Sequence, residues 1–179
     1  MAQLIPAAVL GAPHRLWRNL TTWPSVGGWW ASMEFGGVAL VVIAVIGFAA
    51  GDFRLGAVNL TGMPLRLLGV LLVPALGEEA VFRGLLLPDD SETRRPWVWL
   101  IGSTLAYGAW HVVEALTFLP KALPVFIRPD FLAITLVLGA ACALMRWRTG
   151  SLWPPVILHW LAVTVWQTFL GGPTVAQLS

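Results

Sequence analysis

The chain has 179 residues, of which 58% are hydrophobic and only 11% charged, against about 25% charged in ordinary soluble domains. That composition points to an integral membrane protein built as one compact domain. The formal net charge of +2, with the cations scattered, excludes a nucleic-acid partner, and the single cysteine, Cys142, excludes an intrachain disulfide and a Cys-based zinc site.

The N-terminal stretch MAQLIPAAVLGAPHR lacks a basic region ahead of its apolar residues, so no cleavable signal peptide is expected. Residues 1–34, with Arg15, Trp17 and Arg18, read as an N-terminal interfacial arm, and residues 35–175 as the membrane domain. Crossing a hydrocarbon core of about 30 Å takes roughly 20 apolar residues in a helix. Five segments approach this length: about 35–51, 65–87, 97–119, 131–146 and 152–170. Trp29 and Trp30 precede the first and suit an aromatic belt. Residues 119–128 contain two prolines and are expected to form a re-entrant or interfacial piece. The connections DFR, DDSETRRP, RPD and RWRTG are short and charged, as water-facing turns are. Gly150 suits a helix C-terminal cap, and Asp89, Asp90 and Ser91 suit a turn or cap. The slight excess of arginines at one end favours a cytoplasmic N-terminus.

Ionisable groups inside such segments need an explanation, because each costs about 2.5–3.5 kcal/mol at a helix centre on insertion scales. The polar inventory is short: Glu78, Glu79, Arg83, His111, Glu114, His159 and Gln167, with hydroxyls such as Ser103, Thr104, Tyr107 and Thr164. Glu79 and Arg83 stand four residues apart, acid before base, and can neutralise each other as a structural brace. Glu78 is rotated by about 100° and has no cation on its own helix. It therefore needs a partner elsewhere or a proton. His111 and His159 lie on two other segments and could converge on it. Tyr107 is one turn before His111 on the same face. Glu114 could orient the His111 ring or simply face the headgroups. A carboxylate facing two imidazoles in a wet pocket can activate water, as a general base or around a zinc ion. Any one of these residues alone would read as a helix–helix contact. Four of them together stack their insertion costs, which favours a site. The tryptophans Trp97, Trp99, Trp110, Trp153, Trp160 and Trp166 read mostly as interface anchors or packing.

The stretch EEAVFR resembles the EExxxR motif of the CAAX protease and bacteriocin-processing family, also called Abi. YGAWH is similar to its FxxxH motif, with Tyr107 in place of Phe. GSLWPPVILHW resembles the segment around its third motif and puts His159 on that motif's histidine. The likeness spans residues 60–170. It implies an all-α integral membrane protein, a bundle of about five to six transmembrane helices with a four-helix catalytic core. It also implies intramembrane proteolysis of a membrane-associated peptide or protein substrate in a bacterial cytoplasmic membrane. Glu78 and His111 would activate water, His159 would help bind the oxyanion, and Glu79, Arg83 and Tyr107 would order the site. No cofactor is required in most accounts of such enzymes. A zinc ion, if one is used, would be held by Glu78, His111 and His159. One departure stands out. The third motif usually reads HxxxN or HxxxD, and here position 163 is valine, which cannot donate a hydrogen bond. Trp166 has an indole N–H and lies at i+7 from His159, so it or a displaced water is the expected substitute donor. Two competitors remain: a non-catalytic scaffold or immunity-type binding protein on the same fold, and a proton-coupled transporter using Glu78, His111 and His159 as a relay.

Overall fold

The computed structural model describes residues 11–178, which are almost entirely helical. Residues 1–10, and with them most of the stretch read for a signal peptide, lie outside the described residues. The helices are α1 (Ala12–Thr21), α2 (Val26–Ala50), α3 (Met63–Val70), α4 (Pro96–Thr117), α5 (Leu123–Phe126), α6 (Pro129–Thr149), α7 (Trp153–Phe169) and α8 (Val175–Leu178). α3 runs on without a break into two π-helical segments, Leu71–Glu78 and Ala80–Leu85. Helices α2 and α6 are each long and apolar enough to cross a membrane.

Local chemistry explains the ends. Ser25 caps α2 by accepting from the Gly28 N–H at 3.1 Å. Gly51 and Gly150 end α2 and α6 with φ of 76° and 67°, the left-handed conformation that glycine adopts without a Cβ clash. Asp89 and Glu92 form a capping box around the short 3-10 turn Asp90–Glu92. The prolines of residues 119–128 fall in two short helical turns, Pro120–Ala122 and α5, which close over the end of α4.

Helix α2 starts at Val26, nine residues ahead of the expected segment. Tryptophans, two glycines and Glu34 disguise its first turns in the sequence. Its inward stripe is Ser32, Gly36, Ala39, Ile43 and Gly47, spaced three and four apart. Small residues there let α2 lie close against α6, and Ala39 and Ile43 join Leu138, Cys142, Met145 and Leu158 in one core cluster. Val38, Val41 and Val45 on the other side are each more than 60% exposed, which suits contact with lipid rather than water. Helix α6 is the central element, packed against α2, α4 and α7.

Helix α1 is docked rather than loose. Arg15, 2% exposed, donates from Nε to the Gly84 carbonyl at 3.1 Å, also donates to the Leu85 carbonyl, and pairs with Glu92 at 2.7 Å. Those carbonyls end the second π segment and have no partner within it. Arg18 and Arg146 both pair with Asp89. Arg15, Arg18 and Arg146 thus gather around the turn that carries Asp89 and Glu92.

Candidate active site

Three of the packed elements bring the motif residues to one cavity. The π-helical continuation of α3 carries Glu78 and Arg83, with Glu79 at the junction of its two segments. Pro74 lies inside the first of them and cannot supply the backbone N–H that an α-helix needs there, which favours wider bonding. Helix α4 carries Tyr107, His111 and Glu114 on one face, and α7 carries His159, Val163 and Trp166. The cavity has a volume of about 380 Å³, and Asp52, Arg54 and Arg128 are among its charged lining residues. Its wall is largely apolar, with Val125, Phe126, Phe131 and Leu138 among the lining residues. Burial and the neighbouring Asp130 raise the Asp52 carboxyl above the usual carboxylate range, opposed by Arg128 at 2.8 Å.

The expected brace is present and fully buried. Arg83 Nη1 donates to Glu79 Oε1 at 3.3 Å, and Nη2 donates to the Gly139 carbonyl at 2.8 Å. The guanidinium also stands 4.4 Å from the centre of the Tyr107 ring. The brace has a third member. His159 Nδ1 donates to the same Glu79 oxygen at 3.0 Å, and its Nε2 faces the Tyr107 hydroxyl at 3.3 Å.

Glu78 has no such partner. Its Oε2 is buried without a hydrogen bond and lies 3.9 Å from His159 Nε2. His111 Nδ1 is 3.0 Å from the Tyr107 carbonyl. A carbonyl only accepts, so Nδ1 carries the proton and Nε2 keeps its lone pair. Glu78, His111 and Glu114 offer atoms that all lie within 4.8 Å of one another. Glu114 therefore turns toward the site and not toward the headgroups. The buried indole N–H of Trp110 lies near both carboxyls and makes no close hydrogen bond. From sequence alone Trp110 reads as packing or an anchor. Its adjacency to His111 was the available signal.

The zinc set expected from the sequence is not the set that the fold groups. Both His159 nitrogens already face Glu79 and Tyr107, whereas Glu114 joins Glu78 and His111. Val163 and Trp166 both line the cavity. The Trp166 ring is packed beneath Gly172, where a Cβ would come within 2.4 Å of it, and lies 5.9 Å from the Phe131 ring. The arrangement can hold water between an unpartnered carboxylate and an imidazole lone pair, beside a rigid charged support.

Residues 59–165 match the family model described as type II CAAX prenyl endopeptidase Rce1-like. No curated protein and no solved structure matches the chain. The matched range takes in Glu78, Glu79, Arg83, Tyr107, His111, Glu114 and His159, and stops just short of Trp166.

Proposed function

The chain belongs to the Rce1-like family of type II CAAX prenyl endopeptidases, and from that premise we propose that it is a glutamate-type intramembrane endopeptidase of a bacterial cytoplasmic membrane. Membership of this family, with two apolar helices long enough to span, makes it a membrane protein, and membership implies CAAX-type protease activity. The finer reading is that α2, the motif helix of residues 63–85, α4, α6 and α7 are the spans, and that substrate enters the cavity from the bilayer or its surface.

The observation that carries the mechanism is Glu78, with an oxygen buried without a partner, grouped in that cavity with His111, whose Nδ1 is turned to the Tyr107 carbonyl. Glu78 takes one proton from a water molecule while His111 Nε2 accepts a hydrogen bond from the other hydrogen. The water oxygen then adds to the peptide carbonyl carbon, and the carbonyl oxygen becomes the oxyanion. When the C–N bond breaks, the proton on Glu78 passes to the leaving nitrogen. His159 helps bind the oxyanion with its Nε2 edge, beside the Tyr107 hydroxyl, while Glu79 holds Nδ1. This is the orienting role an acid plays behind a catalytic histidine. Glu79, Arg83 and Tyr107 keep the ring in place. The reaction needs no further group. The donor set fits a zinc ion nonetheless: Glu78, His111 and Glu114 would hold it, and when bound it would supply Lewis-acid polarisation of water.

The test uses the protein reconstituted in liposomes with a quenched fluorescent peptide ending in a CAAX sequence, farnesylated and unprenylated. Glu78→Ala and His111→Ala should each abolish cleavage while insertion and folding persist. Cleavage by the wild type at a rate that Glu78→Ala leaves untouched would sink the assignment.

A further inference from the structure

Valine at position 163 leaves the oxyanion short of a donor on α7, and the next residue on the same stripe is polar. His159, Val163 and Gln167 follow one another at intervals of four, so they lie along one face of the helix. Gln167 is 3% exposed and lines the same cavity as Glu78, His111, His159 and Val163. Its Oε1 is buried without a hydrogen-bond partner. Buried carboxamides are ordinarily satisfied, so such an orphan calls for a reason. Thr164 also has an unpartnered hydroxyl on α7, but it does not line the cavity. Among the described residues of α7, Gln167 is thus the polar orphan that faces the chemistry.

Direction and length agree with the placement. Long side chains on a helix lean back toward its N-terminus and cover the turn before their own Cα. From position 167 that turn is Val163. Glutamine has one methylene more than asparagine, and valine is short enough to leave the space above it open. Turning the terminal amide by 180° exchanges its oxygen and nitrogen within the same volume, so either can occupy the orphaned position. Trp166 is the other donor on this part of the helix, but its ring is held as a wall under Gly172 and beside Phe131.

We infer that the Gln167 carboxamide N–H, reaching back over Val163, is a second hydrogen-bond donor to the oxyanion in this chain, beside His159. The inference rests on the proteolytic reading above. Gln167 is then a catalytic residue, and the stripe His159–Val163–Gln167 does from one turn further along what a polar residue at 163 would do directly.

The experiment measures kcat and KM for the same reconstituted protein and peptides. Gln167→Leu should lower kcat by about 10²–10³ and leave KM nearly unchanged, the pattern of an interaction made only in the transition state. Gln167→Met, a second variant of similar shape, should do the same and covers the case in which leucine disturbs folding. Adding Val163→Asn to Gln167→Leu should recover at least tenfold of the loss, which a merely structural role for Gln167 would not permit. Trp166→Phe should lower kcat far less than Gln167→Leu does. Undiminished kcat in Gln167→Leu, a loss that follows a lowered unfolding midpoint and resists Val163→Asn, or a loss confined to Trp166→Phe each overturns the inference and leaves the protease standing. Absence of cleavage by the wild type overturns the protease reading itself.

Discussion

His159 and Glu79 are joined by a buried hydrogen bond of 3.0 Å, from Nδ1 to Oε1. That oxygen also receives Arg83, so one carboxylate oxygen anchors a cation and an imidazole from two different helices. The bond explains why two adjacent glutamates serve different ends. Glu79 gives Oε1 to support and does not line the cavity, whereas Glu78 lines it and has an unpartnered oxygen.

Removing Glu79 should therefore cost folding more than it costs any single contact. Glu79→Ala leaves Arg83 and His159 buried without their shared acceptor. Breaking a buried pair in this way costs about 3–5 kcal/mol. Glu79→Gln keeps an acceptor oxygen and should lose less. Thermal unfolding in detergent separates the two. Equal midpoints for Glu79→Ala and the wild type would show that the brace does not hold.

Gly139 should tolerate no side chain. A Cβ there would stand 2.8 Å from Tyr107 Cδ1 and 3.0 Å from Arg83 Nη2, and the residue's carbonyl receives that same Arg83 nitrogen. Gly139→Ala should destabilise by about 1–3 kcal/mol, as overpacking does. Cleavage should also fall, because the displaced groups position His159. The paired measurement is the unfolding midpoint and the cleavage rate of one preparation.

Arg15 gives a prediction far from the chemistry. Its guanidinium caps the Gly84 and Leu85 carbonyls and pairs with Glu92. Arg15→Ala should undock α1, lower the unfolding midpoint and speed proteolytic nicking near residue 22. The loss should stay below about 3–5 kcal/mol, the cost of a fully buried pair broken on one side, because Glu92 is partly exposed. Lysine should not rescue it, because an ammonium cannot match the planar fork.

The sequence made some of this readable and hid the rest for definite reasons. Continuous apolar runs exposed the five long helices, and the insertion cost of Glu78, Glu79, Arg83, His111 and His159 marked the site before any helix was placed. Gly150 was legible because a cap needs a left-handed residue. The start of α2 at Val26 was not, since tryptophans and glycines there match an interfacial arm equally well. Arg15 looked like a surface charge because its acceptors are 69 and 70 residues away. The partner of His159 could not be chosen from sequence, because Glu78 and Glu79 are neighbours and only packing decides which one meets the ring. Gln167 was visible as a polar residue in a span, but its role depends on which side of α7 faces the cavity.

The central claim is that Glu78 activates the attacking water, and single-turnover cleavage of the CAAX-terminated peptide by the reconstituted protein tests it most directly. The account predicts that Glu78→Ala, folded and inserted like the wild type, releases no product over many wild-type half-lives. Product formation by that variant at the wild-type rate would contradict it.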